Sequence, residues 1–330
     1  MHLAIASLLI IFGFSLLMWS ADLLVDNATV LAKRLGISTF LVGIVVVGFG
    51  TSAPEMFVSA VAALNDRGNL ALGNALGSNI TNIGLVLGSA ALVRALPVTR
   101  TTAHKDIPLV ILAGAIAIYI VSDGLLSHMD GIVLLLLLVS YLVWSARHSR
   151  GYGGEPPIEK LASDPHDLDL SVLDHPRAKS TPSAILWTVG SIILLMLASR
   201  MLVEGAITVA HHLGVPELVI GLTIIAIGTS LPELAAAIAA ARKGAHDMII
   251  GNIIGSNVFN TLGVLGLTGA IRATEIDTSA LWRDFPIMFI FTIMMFVFAM
   301  TKGNFSRKEG AVMLTAYAVY ICYLVFTALR

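Results

Sequence analysis

The sequence has a single cysteine and few charged residues, and each shortage excludes a class of protein. Cys322 has no partner in the chain, so an intramolecular disulfide framework is excluded, and we expect it to pack as a small apolar side chain. Charged residues make up 12% of the 330 residues and hydrophobic residues 57%, against about 25% and 45–50% in soluble domains. A water-soluble domain therefore fits poorly. Since 20 Lys and Arg nearly balance 21 Asp and Glu, bulk charge predicts no nucleic-acid partner, and no protein partner is predictable.

Long apolar stretches are abundant, and several are long enough to cross about 30 Å of hydrocarbon. The sequence therefore predicts an all-α polytopic protein whose surroundings are a lipid bilayer. The first stretch is interpreted as a retained span, because Met1-His2 lacks the cationic region of a secretory signal. The ten candidate spans are residues 3–20, 38–63, 70–93, 107–122, 131–146, 183–200, 217–241, 248–270, 285–300 and 310–328.

The distribution of Lys and Arg between the loops predicts the orientation. With the N-terminus outside, 15 of the 20 cationic residues fall on the cytoplasmic side. Both termini are then extracytoplasmic, and the long hydrophilic segment 147–182 is a cytoplasmic linker. The expected location is a cell membrane, of the bacterial inner-membrane type.

The chain is an internal duplication in which Gly50 recurs as Gly228 and the register then holds along both halves. Between residues 50 and 88, 16 of 39 positions are identical to their counterparts in 228–266. This divides the chain into a five-helix repeat at 1–146 with its motif at 50–88, the linker, and a five-helix repeat at 183–330 with its motif at 228–266. Because five spans is an odd number, the second repeat is inverted. Inverted repeats are typical of secondary transporters, although a duplication is also compatible with structural ancestry alone.

Two glutamates, Glu55 and Glu233, lie deep in the second and seventh spans. Each would cost about 2.5–3.5 kcal/mol at a helix centre, so their repetition indicates use. Pro54 and Pro232 precede them and should interrupt both helices, which frees backbone carbonyls one turn earlier. The alternatives are a pair of protonated structural glutamates and simple proline kinks.

Polar oxygen-bearing side chains surround both glutamates in the repeat. Hydroxyls come from Thr51, Ser52, Thr229 and Ser230, and the sets Asn74, Ser78, Asn82 and Asn252, Ser256, Asn260 are each spaced to share one helix face. An all-oxygen set with two carboxylates suits Ca²⁺, and the absence of Cys and His from the repeated core argues against Zn²⁺ or copper. Emptying such a site leaves two uncompensated charges unless other cations enter, which favours exchange. The Asn and Ser residues are also compatible with close helix packing, and Gly73, Gly77, Gly251 and Gly255 are interpreted as packing positions.

The motifs Gly-Thr-Ser-x-Pro-Glu and Gly-Asn-x-x-Gly-Ser-Asn-x-x-Asn, each present twice, resemble the two α-repeats of the cation/calcium exchanger superfamily, specifically its prokaryotic sodium/calcium antiporters. The resemblance covers nearly the whole chain. It implies that the first and sixth helices slide past a fixed core, and that Ca²⁺ and Na⁺ are transported without any cofactor. It also implies that Glu55 and Glu233 are the central ligands, supported by Thr51, Ser52, Thr229, Ser230, Ser78, Ser256, Asn82 and Asn260.

The coupling ion and the class of transport leave alternatives. Some relatives, including potassium-dependent exchangers, carry aspartate where Asn260 stands, so this residue argues against K⁺ coupling. Coupling to H⁺ is the second hypothesis, and a passive cation channel is the third. An enzyme is not predicted, since the sequence has no His-Glu-x-x-His motif, Gly-x-Ser-x-Gly motif or phosphate-binding loop.

Overall fold

The computed structural model describes residues 3–149, 180–220, 223–224, 226–278 and 280–329. Most of the predicted linker 147–182 lies outside these residues. Nine continuous helices in the described part are long and apolar enough to cross a membrane. A tenth membrane segment, α7, consists of the helices Glu217–Ile220, Ala226–Thr229 and Leu231–Arg242. The nine continuous helices are α1 Leu3–Leu35, α2 Thr39–Leu64, α3 Gly68–Val93, α4 Thr102–Asp123, α5 His128–Ser149, α6 Thr181–His212, α8 His246–Ile271, α9 Ala280–Lys302 and α10 Arg307–Ala328.

Two short strand pairs join the two halves of the chain. Strand β1 (Leu96–Pro97) pairs antiparallel with β4 (Asn304–Phe305), and β2 (Leu125–Leu126) pairs antiparallel with β3 (Thr274–Glu275). In the register of the duplication β1 coincides with β3, and β2 overlaps β4 at one position. With ten alternating crossings, β1 and β4 lie at one membrane face and β2 and β3 at the other. We refer to these as the β1–β4 face and the β2–β3 face.

Helices α2, α3, α7 and α8 form the centre of the fold, with α8 the most buried. The apolar window of α8 is entirely buried, and glycines bring it against the first part of α2. A Cβ at Gly43 would lie 2.6 Å from the Met248 carbonyl oxygen, and one at Gly255 would lie 2.8 Å from the Cα atom of Ile44. Such backbone contact leaves no space between the two helices for a larger residue.

Helices α1 and α6 pack against each other along much of their length. Gly13 lies against the backbone of Leu202, and a Cβ at Gly205 would be 2.8 Å from the Ala6 carbonyl oxygen. The predicted spans 3–20 and 183–200 are too short, since these helices continue to Leu35 and His212. Charged residues lower the hydropathy of their second halves without interrupting the helix.

Helix α10 carries the cysteine. Cys322 is exposed there, so the expectation that it packs inside the protein is wrong. An apolar sequence context does not separate a core-facing position from a lipid-facing one in a membrane helix.

Candidate cation site

Glu233 lies in the first turn of the helix Leu231–Arg242, directly after the last interruption of α7. Ser230 occupies the turn between the two helical pieces, and Pro232 stands at the start of the new helix, where a missing N–H is tolerated. A helix N-terminus also favours a negative charge through its unpaired N–H groups. The irregularity predicted before Glu233 is therefore a break in the helix at Ser230, which places the carboxylate at the N-terminus of the next helix.

Helix α2 has no turn before its Pro-Glu pair, although it shares π-helical residues with α7, where they lie at 223–224. Helix α2 continues through Pro54 to Leu64, and its irregularity is a π-helical segment at Gly43–Gly48. Side-chain hydroxyls approach two carbonyls of this segment: Thr51 Oγ1 donates to the Val47 oxygen at 3.0 Å, and Ser256 Oγ lies 3.5 Å from the Gly48 oxygen. Local π-helical turns within α-helices are frequent at functional sites. The predicted break near Glu55 is thus a widened turn in an otherwise continuous helix.

The two glutamates face each other across the centre of the fold, and each has neighbours in the opposite repeat. Glu55 and Glu233 are 1% exposed and interact electrostatically, and Thr229 lies beside Glu55. Ser52 Oγ donates to Glu233 Oε1 at 3.3 Å. Glu233 Oε2 and both carboxylate oxygens of Glu55 are buried without a hydrogen-bond partner among the described residues. Three carboxylate oxygens are therefore left as available acceptors in a space shielded from water.

The amides predicted for the site occupy equivalent positions in the two repeats. Asn82 begins the π-helical segment Asn82–Leu87 of α3, and Asn260 lies in the segment Phe259–Val264 of α8. Both residues lie near the middle of their helices, and both side-chain amides are buried without a partner among the described residues. The same holds for the hydroxyl of Ser230, and Ser78 and Ser256 are buried one turn before the two asparagines.

Asn252 and Asn74 are not among the predicted ligands, but both contact residues of the site. The Oδ1 atom of Asn252 lies 3.4 Å from Thr51 Oγ1 and 3.5 Å from Ser256 Oγ, within reach of both hydroxyls. Asn74 Nδ2 donates to the Glu55 carbonyl oxygen at 3.3 Å and to Ser59 Oγ at 3.0 Å. Their position one helical turn before Ser78 and Ser256 is the signal in the sequence that identifies them.

Chemically, the arrangement is suited to a hard cation. Buried acceptors without donors are rare in folded proteins, because each loses its hydration without replacement. The described residues contain no group of three or more His, Cys, Asp or Glu that could hold a metal. Negative charge in this site therefore comes from two carboxylates, and the remaining oxygens are neutral.

Comparison with known proteins identifies the family. The sequence profile of the family described as "Sodium/calcium exchanger protein" matches residues 5–147 and again residues 183–326. The chain belongs to the sodium/calcium exchanger family. The repeated match also agrees with the internal duplication, and the resemblance predicted from the two motifs is confirmed.

Relatives within the sodium/calcium exchanger family match over nearly their full length. The inner membrane protein YrbG of Escherichia coli is 41% identical over 93% of this chain and 91% of its own. The sodium/calcium exchanger MaX1 of Methanosarcina acetivorans is 28% identical over 97% and 98% of the two chains. Among solved structures, the sodium-calcium exchanger NCX_Mj soaked with Na⁺ and Sr²⁺ superposes with a TM-score of 0.82 at 28% identity, covering 97% of this chain and 99% of that one. The family consists of membrane ion exchangers and is not an enzyme family.

Proposed function

We propose that this protein is an antiporter that exchanges Ca²⁺ for Na⁺ across the membrane, with both ions using a site centred on Glu55 and Glu233. The observation that carries the proposal is the pair of neighbouring, buried carboxylates, of which three oxygens have no hydrogen-bond partner among the described residues. Two carboxylates match the charge of one divalent ion, and Ca²⁺ takes about 6–8 oxygen ligands in flexible geometry. Neutral oxygens complete the proposed set, from Thr51, Ser52, Thr229, Ser230, Ser78, Ser256, Asn82 and Asn260.

Exchange follows from the electrostatics of this site. Two carboxylates of like charge at 1% exposure repel each other when no cation separates them. After Ca²⁺ leaves, the empty site therefore has to bind replacement cations before the protein can change from one access state to the other. Asn260 contributes an amide in place of a third carboxylate, so the site favours coupling to Na⁺ without K⁺.

A difference between the two repeats supports alternating access. On one side of the site, Gly251 and Gly255 of α8 are buried against the first part of α2. Gly73, the counterpart of Gly251 on α3, is exposed. The seam between α8 and the first part of α2 is thus packed, whereas Gly73 of the other repeat is accessible. Because Gly73 lies between the site and the β2–β3 face, we assign this structure to the state that opens toward that face.

The location and orientation follow the charge distribution in the loops. We place the protein in the bacterial-type inner membrane, with both termini extracytoplasmic and the 147–182 loop cytoplasmic. The β2–β3 face is then the extracytoplasmic one, and the described state would accept ions from outside the cell.

Flux measurements in proteoliposomes test the proposed exchange. The purified protein is reconstituted in vesicles loaded with Na⁺, diluted into Na⁺-free buffer, and uptake of radiolabelled Ca²⁺ is followed. Parallel vesicles carry a K⁺ gradient or a pH gradient in Na⁺-free buffer, and a protein with Glu55→Gln is the inactive control. Uptake that depends on the Na⁺ gradient is expected. Uptake driven only by the pH gradient would replace Na⁺ with H⁺, and flux that dissipates either gradient without counter-transport would indicate a channel.

A further inference from the structure

Lys243 connects the end of α7 to α1 at the β1–β4 face. Its Nζ atom lies 2.5 Å from Asp26 Oδ1 and 3.9 Å from Asp22 Oδ1, and it donates to the Asp22 carbonyl oxygen at 2.9 Å. The side chains of Lys243 and Asp26 are 23% and 10% exposed. Partial burial makes such a contact stronger than an exposed ion pair, which contributes little.

The same three positions in the other repeat are occupied by residues that cannot form this contact. In the register that aligns Gly50 with Gly228, Asp22, Asp26 and Lys243 correspond to Arg200, Glu204 and Asn65. Arg200 and Glu204 pair with each other at 2.9 Å, with their side chains 79% and 53% exposed. Asn65 donates to the carbonyl oxygen of Val61 within its own helix. At these positions, therefore, the described residues form an ion pair between α7 and α1 and none between α2 and α6.

The packing around these positions differs in the same way. In the second repeat α1 packs on the helix Leu231–Arg242 of α7, where Ala235, Ala236, Ala239 and Ala240 are buried. The corresponding surface of the first repeat is a groove of about 530 Å³ between the ends of α2 and α3. Its lining includes Phe57, Val58, Val61 and Ala62, which are the counterparts of those four alanines, together with Asn65, Arg67 and Leu70.

We infer that Lys243, Asp22 and Asp26 form a one-sided latch that holds α1 on α7 and favours the state open toward the β2–β3 face. This inference rests on the proposed alternating-access function. When α1 and α6 move to the opposite state, the latch must separate, and α6 takes up the groove at 57–70 without an equivalent ion pair. The two access states consequently differ in free energy. The state that is closed at the β1–β4 face is the more stable one.

Cysteine accessibility tests the latch independently of ion flux. In a Cys322→Ser background, Gly73→Cys reports the open side and Ala239→Cys reports the surface under α1. With Lys243 present, we expect fast maleimide labelling at position 73 and slow labelling at position 239. Lys243→Ala should raise the second rate by up to about tenfold and lower the first rate, because one state gains population at the expense of the other. Lys243→Arg is the matched control and should stay near the parent values.

Further variants separate switching from local loosening. A charge exchange, Lys243→Asp with Asp26→Lys, should restore the parent labelling pattern, which an unfolded or loosened protein would not do. Asn65→Lys with Arg200→Asp places a matching latch in the other repeat and should shift labelling in the direction of Lys243→Ala. Unchanged rates in Lys243→Ala, or a rise at both probe positions, would overturn the inference.

The result is distinguishable from failure of the proposed function. If the parent protein labels as expected but exchanges no Ca²⁺ for Na⁺, the proposed ions are wrong and the latch stands. If the parent exchanges both ions and Lys243→Ala leaves both labelling rates unchanged, the latch is refuted and the exchange function stands.

Discussion

Glu233→Gln is expected to weaken Ca²⁺ binding more than Na⁺ binding. The substitution keeps the volume of the side chain and an acceptor for the Ser52 hydroxyl, which lies 3.3 Å from the carboxylate. It removes one of two negative charges in a site that is almost fully buried. Only one carboxylate, that of Glu55, then remains to balance a divalent ion.

The size of the effect follows from charge. A pair of unit charges about 4 Å apart interacts by about 4 kcal/mol at an effective dielectric constant of about 20. Ca²⁺ therefore loses about 8 kcal/mol of attraction and a Na⁺ ion about 4 kcal/mol. The desolvation change of the empty site is the same for both ions and cancels in their ratio. The difference of about 4 kcal/mol corresponds to a loss of up to about three orders of magnitude in Ca²⁺ selectivity over Na⁺, per bound ion.

The assay compares two half-saturation concentrations in proteoliposomes: external Ca²⁺ for uptake, and external Na⁺ for inhibition of that uptake. Where uptake by Glu233→Gln is too slow to measure, Ca²⁺ binding to the purified protein by calorimetry gives the same comparison. The matched control is Glu275→Gln, which neutralises an exposed glutamate on β3 outside the site. Equal weakening of both ions, or Ca²⁺ affinity near that of the control, would refute the role assigned to Glu233.

Three further predictions concern packing and the neutral ligands. Gly255→Ala should lower the stability of the purified protein by about 1–3 kcal/mol, because its Cβ would lie 2.8 Å from the Ile44 backbone, whereas Gly73→Ala changes an exposed position and serves as its control. Equal melting temperatures for the two variants would contradict the packed seam. Ser52→Ala should weaken Ca²⁺ affinity by about tenfold or more, as expected for one hydrogen bond to a charged group, about 1.5–3 kcal/mol, and unchanged affinity in calorimetry would place this hydroxyl outside the site. Asn260→Asp adds a third carboxylate and should change the Na⁺, K⁺ or pH dependence of Ca²⁺ uptake; an unchanged ion profile would show that the amide does not determine coupling.

The sequence predicts the repeat, the helical class and the buried glutamates because these depend on local composition and on motifs repeated within one chain. Glu55 and Glu233 are conspicuous since an acid in an apolar run is expensive. The lengths of α1 and α6 could not be predicted from hydropathy. Asp22 and Asp26 look like the end of a span until Lys243, from the other half of the chain, is placed beside them.

The form of each helix irregularity also required the structure. Both helices have π-helical residues before the Pro-Glu pair, at Gly43–Gly48 in α2 and at 223–224 in α7, but only α7 has a turn, at Ser230, directly before its proline. Proline alone therefore does not determine the backbone around it. Likewise, spacing places Asn252 on the polar face of its helix, but only the fold brings Thr51 of the other repeat to its amide. A sequence pattern within one repeat does not predict the contacts that its residues make with the other repeat.

The strand pairs β1–β4 and β2–β3 bear on how the molecule is assembled. Each pair takes one strand from each half of the chain, and the pairs lie at opposite faces. The two halves are therefore interlocked at both ends of the bundle, like two subunits of an antiparallel dimer that happen to share a peptide chain. A polypeptide severed between residues 149 and 180 would require both fragments in the same bilayer, inserted in opposite senses, before either could complete its fold.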